Sequence, residues 1–117
     1  MKNKMTNPIN KRVYPRLPTM LKVEYSKGGE VYYDYSTNIS KGGLFLHSSH
    51  FVDTGHRLHI RLRLPGEQRP IHAIGLVMWT DKGGQASPNL PGVGIRFQHI
   101  TQEHRDQLEH FLEQFVN

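Results

Sequence analysis

The sequence predicts an all-β-dominated fold: an antiparallel barrel, closed or nearly closed, with one α-helix at its C-terminal end. Three observations carry that expectation. Short alternating or β-branched runs recur through residues 20–98. Glycine- and proline-bearing breaks separate them at nearly even spacing. The apolar period then changes, because Leu108, Phe111, Leu112 and Phe115 recur at i, i+3, i+4 and i+7. A chain of 117 residues is the size of one domain.

The elements follow in order. Leu21, Val23 and Tyr25 alternate with Lys22, Glu24 and Ser26, and Lys27-Gly28-Gly29-Glu30 turns the chain. Val31-Tyr32-Tyr33-Asp34-Tyr35 is aromatic and β-branched, as strands are. A turn at Asn38–Gly43 precedes a short strand, Leu44-Phe45-Leu46, and Asp53-Thr54-Gly55 makes the next break. The cleanest alternation places Leu58, Ile60, Leu62 and Leu64 on one face and Arg57, His59, Arg61 and Arg63 on the other. Pro65-Gly66-Glu67 is a turn, and the long apolar run from Ile71 to Thr80 is read as a strand buried on both faces. A loop rich in glycine and proline, from Asp81 to Gly92, leads to Val93, Ile95 and Phe97 alternating with Gly94, Arg96 and Gln98. Residues 101–116 form the helix, with Thr101 as its N-cap and Glu103 complementing the dipole of its first turn.

Residues 1–19 differ in kind. They are polar and basic, and Pro8, Pro15 and Pro18 interrupt them. Pro15 lies between Arg12 and Arg16, so this spacing is not one face of a helix. The segment reads as a flexible basic arm, 1–19, ahead of a barrel and helix, 20–117.

Composition excludes several classes. The chain has no cysteine, so it holds neither a disulfide nor a thiolate metal site. No apolar run approaches the length that spans a bilayer, and the N-terminus lacks the apolar stretch of a secretion signal. The expected location is cytoplasmic. A formal net charge of +5 favours anionic partners. Nothing resembles a triphosphate-binding loop or an acid/base signature, and Ser40 has no evident triad. The reading is a binding module, not an enzyme. The eight histidines are read as surface or structural groups, because spacings such as His47/His50 and His56/His59 point side chains in different directions on strands and turns. Arg57, Arg61 and Arg63 are read as the solvent face of a strand, and Trp79 as barrel core or rim.

Two motifs remain. Arg12 and Arg16 form Arg-x-x-x-Arg, and Asn38, Ser40 and Gly43 form Asn-x-Ser-x-x-Gly. Two planar cations can stack on bases and fork onto phosphate oxygens. A polar turn containing Gly42 and Gly43 can let another group approach the backbone closely. With these motifs, the strand ending at Trp79, and Gly92-Val93-Gly94-Ile95-Arg96-Phe97, the chain resembles PilZ domains from about Asn10 onward, especially the small single-domain members.

That resemblance implies a six-stranded antiparallel barrel, cyclic di-GMP as ligand on its outer surface, and an arm that folds over the ligand. Carried onto this sequence, the binding residues are Lys11, Arg12, Arg16, Asn38, Ser40, Gly42 and Gly43. Arg96 joins them because it projects opposite the apolar face of its strand. Lys11, a basic residue ahead of the first arginine, implies two stacked ligands per site. No cofactor is implied. The output passes to a partner protein with no membrane insertion. A basic barrel that binds nucleic acid and a ligand-independent adaptor are the alternatives.

Overall fold

The computed structural model describes residues 17–48, 53–67, 69–81 and 91–114. Along the chain run β1 (Leu17–Lys27), β2 (Glu30–Ile39), β3 (Gly43–His47), β4 (Arg57–Leu62), β5 (Ile71–Asp81), β6 (Gly92–Ile100) and α1 (Gln102–Glu113). Every strand pair is antiparallel, and the sheet closes in the order β1-β2-β3-β6-β5-β4. Closure is made by β1 against β4, where Val23 faces Leu62 and Tyr25 faces Ile60. The six-stranded antiparallel barrel and its terminal helix are as expected. β1 begins at Leu17, inside the segment read as arm, and Leu17 and Pro18 pair with Ile39 and Asn38.

Local chemistry sets the turns. Gly28 and Gly29 both adopt positive φ, 62° and 89°, in the two-residue loop between Lys27 and Glu30. That geometry matches the twist of the flanking strands and suits glycine above all other residues. Glu67 N–H donates to the Leu64 carbonyl at 3.1 Å, with Pro65 and then Gly66 at the corners. Gly66 has φ 82°, the pattern of a type II turn.

Alternation supplies the core. Leu21 and Val23 of β1, Leu58, Ile60 and Leu62 of β4, and Val93 and Ile95 of β6 point inward and are buried. Ile39, Leu44 and Leu46 fill the other side. Leu108 and Phe111 of α1 join the same cluster, with Leu112 packed partly against it. Each such side chain contributes roughly 1.5–3 kcal/mol by leaving water. Thr101 caps α1 by accepting the His104 N–H at 3.3 Å. Phe115, the last member of the predicted stripe, lies outside the described residues.

β5 departs from its expected burial on both faces. Ile71, Ala73, Gly75 and Val77 are buried, whereas His72 and Met78 are exposed. A closed barrel has only one dry side, so an outward side chain is covered only where another element lies over it. Here α1 touches β5 over a small part of its length.

One polar network sits within this core. The Tyr25 hydroxyl donates to Asp34 Oδ2 at 2.5 Å and lies 2.9 Å from Ser48 Oγ. Burial, and then the hydrogen bond to Asp34, push the Tyr25 phenol well above its ordinary value.

Two outcomes follow for stability. Leu46→Ala should cost about 2–5 kcal/mol, read from the shift of the urea midpoint, because its side chain is fully buried. Tyr25 keeps its proton in the folded state at pH values where the unfolded chain loses it. Its contribution is therefore full below about pH 10 and is lost as pH rises through the higher folded value. Urea midpoints should fall above about pH 10 in the native protein, and Tyr25→Phe should flatten that fall.

Candidate functional site

Residues 40–42 link β2 to β3, with Asn38 and Ile39 already in β2 and Gly43 in β3 where the sequence predicts a turn throughout, and the conformation is held by the segment's own polar groups. Ser40 N–H donates to the Gly43 carbonyl at 2.9 Å, and Gly42 N–H donates to Ser40 Oγ at 3.1 Å. Ser40 is only 4% exposed. Its hydroxyl proton points to the same Gly43 carbonyl at a weak 3.5 Å. The serine thus folds the loop. From outside the loop, Phe97 N–H donates to the Gly42 carbonyl at 2.8 Å. Lys41 forms an ion pair with Glu109 of α1 at 3.0 Å. Both contacts fasten the loop to neighbouring elements, although an exposed pair of this kind is worth only about 0–1 kcal/mol.

Gly43 is required by packing. A Cβ there would stand 2.0 Å from the Ile95 carbonyl oxygen and 3.0 Å from the Arg96 Cα. The close approach expected of this glycine is made by β6, its partner strand. Register then places Arg96 directly opposite Gly43. Arg96 is exposed and has no carboxylate partner among the described residues.

The next row of the outer surface runs across four strands. Asn38 of β2 pairs with Phe45 of β3, Phe45 with Gly94 of β6, and Gly94 with Trp79 of β5. Phe45 and Trp79 stack, with centroids 5.1 Å apart and planes 25° apart. The edge of His47 meets Phe45 at 4.8 Å, and its Nε2 lies 2.6 Å from Thr37 Oγ1. Trp79 is 48% exposed, so it belongs to an outer aromatic platform and not to the core. The glycines of β6 make room for that platform. A Cβ on Gly94 would stand 2.2 Å from Trp79 Nε1, and one on Gly92 would stand 2.4 Å from Phe45 Cζ. The sequence favours core or rim over a stacking role for Trp79, and nothing in it pairs that ring with Phe45. The platform's legible signal was Gly-x-Gly within a strand, which marks a face where something large lies close to the backbone.

A family model describing the PilZ domain matches residues 10–114. The chain belongs to the PilZ domain family. No curated protein matches it by sequence. Among solved structures, the inhibitor of motility MotI/DgrA of Bacillus subtilis superposes with a TM-score of 0.75 at 21% identity. The match covers 93% of this chain and 53% of that one. The PilZ domain of YcgR from Escherichia coli, solved with c-di-GMP, gives 0.69 at 14% identity, covering 89% and 91% of the two chains. MrkH of K. pneumonia, in its c-di-GMP complex, gives 0.73 at 20% identity, covering 92% and 53%. This PilZ chain therefore spans about half of MotI and MrkH but nearly all of the YcgR domain.

Of the residues singled out by sequence, Asn38, Ser40, Gly42, Gly43 and Arg96 gather around the β2–β3 loop and the adjoining middle of β6. Lys11, Arg12 and Arg16 lie outside the described residues, as does His50. Arg57, Arg61 and Arg63 are exposed, and Arg61 lies 3.7 Å from Glu24. Among the described residues, no three His, Asp or Glu side chains converge as metal ligands, and no helix is long and apolar enough to cross a membrane.

Gly43→Ala should loosen the β3–β6 ladder, costing about 1–3 kcal/mol as overpacking does. Hydrogen exchange should show the Phe97 amide losing protection while the β1–β2 hairpin keeps its own.

Proposed function

We propose that this PilZ domain is a non-enzymatic receptor for cyclic di-GMP, held between the N-terminal arginines and the outer surface around the Asn38–Gly43 loop. The observation that carries the reading is the start of β1. Leu17, the residue after Arg16, pairs with Ile39, and Pro18 pairs with Asn38. The strand that follows the Arg-x-x-x-Arg motif in sequence thus starts beside the Asn-x-Ser-x-x-Gly motif, and that proximity supports the reading. YcgR and MrkH, similar in fold, carry c-di-GMP in their structures.

The roles follow from chemistry. The dinucleotide has two guanines and two phosphodiesters, so it offers stacking faces, Hoogsteen edges and two negative charges. Arg12 and Arg16 stack on guanine and fork onto its Hoogsteen edge or onto phosphate. Lys11 adds charge and favours a stacked pair of ligands. Asn38 can donate to and accept from a guanine edge. Arg96, exposed beside Gly43, supplies a cation on the same surface. Ser40 and Gly43 hold the loop in shape, and Gly42 leaves the backbone open to approach. Trp79, half-exposed over the buried Phe45 ring, offers an aromatic surface on the row that also carries Asn38, and stacking a base on such a surface is worth about 1–3 kcal/mol.

Binding draws the arm, shortened to residues 1–16 because β1 starts at Leu17, onto the loop and so changes the surface presented to a partner protein. The ordering has an entropic cost that lowers the net affinity. One observation favours a second reading, direct nucleic-acid binding. Tyr33 and Tyr35 are 58% and 51% exposed on β2, with Lys22 Nζ 5.1 Å above the Tyr33 ring. Salt-dependent oligonucleotide binding that cyclic di-GMP leaves untouched would select it.

Calorimetry with cyclic di-GMP, against GMP and GTP, should give a dissociation constant of about 0.1–10 μM, and absence of heat would overturn the receptor reading. Arg16→Ala should abolish most of the affinity. Arg16→Lys should cost at least about tenfold, since a point charge replaces a planar fork. Asn38→Ala should cost about 1–3 kcal/mol. Trp79 is the chain's one tryptophan, so ligand on the platform should change the intrinsic fluorescence.

A further inference from the structure

A second concave surface lies where β4, β5 and β6 meet the start of α1. His59, His72, His99, Thr101 and Arg105 line it. Register explains the gathering. Ile74 of β5 pairs with His59 on β4 and with His99 on β6, so both imidazoles flank one half-buried isoleucine on the outer face. His72 stands on that face two residues earlier, opposite Arg61. It meets His104 of α1, with ring centroids 5.7 Å apart.

The charges around this groove are lopsided. Among the described lining residues there is no carboxylate. The nearby acids are engaged elsewhere: Glu24 with Arg61 at 3.7 Å, Glu103 with Arg69 at 3.3 Å, and Asp106 with the Gln102 amide at 2.8 Å. The first turn of α1 adds partial positive charge. The floor, by contrast, is apolar, made by Ala73, Ile74 and Ile100. The amide oxygen of Gln98, also in the lining, is buried with no hydrogen-bond partner. A hydroxyl next to an oxyanion would satisfy it.

The contact that seats α1 on β5 tolerates a change of charge. His104 Nδ1 lies 3.2 Å from the His72 amide nitrogen and 3.3 Å from the His72 carbonyl oxygen. Neutral, that nitrogen can accept from the amide, and protonated, it can donate to the carbonyl. The groove can therefore gain protons without losing its wall.

We infer that this groove binds a phosphate-type oxyanion carried on a small organic body, and that it does so more tightly as its imidazoles take up protons. Arg105 supplies the permanent cation. Each histidine ring adds a further cation and two N–H donors when it is protonated. The site is separate from the loop at Asn38–Gly43 and does not depend on the cyclic di-GMP reading.

The test is amide NMR of the full chain titrated with sulfate, a dianion throughout this range, so that any pH dependence belongs to the protein. Shifts should centre on Ile74, His99 and Thr101, with a dissociation constant at least about tenfold lower near pH 6 than near pH 8. Arg105→Gln should abolish the shifts. The His59→Gln/His99→Gln pair, at exposed positions, should at least halve their pH dependence with the amide spectrum otherwise native. Saturating cyclic di-GMP should not displace the sulfate. Glycerol 3-phosphate and vesicles containing phosphatidic acid then separate a free metabolite from a lipid headgroup, since whichever binds should require Arg105. Shifts confined to the Asn38–Gly43 loop, equal affinity at both pH values, or indifference to Arg105→Gln would each overturn the inference. A protein that ignores cyclic di-GMP yet binds sulfate in this way would leave it standing.

Discussion

The pairing of β4 with β1 is the constraint on which the rest depends. Once Val23 meets Leu62 and Tyr25 meets Ile60, no strand of the sheet has a free edge and every strand has one inner side. A barrel of six strands is narrow, and here leucine, isoleucine and valine from all six elements fill it. Nothing the size of a dinucleotide can enter. Any ligand must lie outside, on rows of side chains whose neighbours are dictated by strand register.

Those rows have a clear logic around the β2–β3 loop. Close contact between β3 and β6 needs a residue without a side chain at position 43, and the same contact brings Arg96 alongside. One row further, the glycines of β6 leave space that Phe45 and Trp79 occupy with their rings. The loop is tied down by Ser40 inside it and by Phe97 and Lys41 contacts around it. A surface shaped by backbone packing is rigid before any ligand arrives, which lowers the entropic cost of binding to it.

β6 serves two regions. Its first half, Gly92 to Arg96, faces the loop and the aromatic platform, while its second half, Gln98 to Ile100, borders the histidine groove under α1. The helix joins both, through Lys41–Glu109 on one side and His72–His104 on the other. One short helix thus touches the margin of each outer surface while its apolar stripe closes the core.

Much of this was legible in the order of residues. Period-2 alternation such as Leu58-His59-Ile60-Arg61-Leu62, paired glycines at 28 and 29, and the change of period near Thr101 determine strands, turn and helix through local sterics and burial alone. The Asn38–Gly43 motif was visible for the same reason, being contiguous. What the tertiary structure decided was adjacency. β3 lies beside β6 across some fifty residues of chain, and only that neighbourhood makes Gly43 obligatory, lifts Trp79 out of the core and lays it on Phe45. The same holds for His59, His72 and His99, which are scattered along the sequence and line one groove through register. One face of β5 turned to solvent because a closed sheet has a single dry side, a property of the whole ring of strands that no individual strand records.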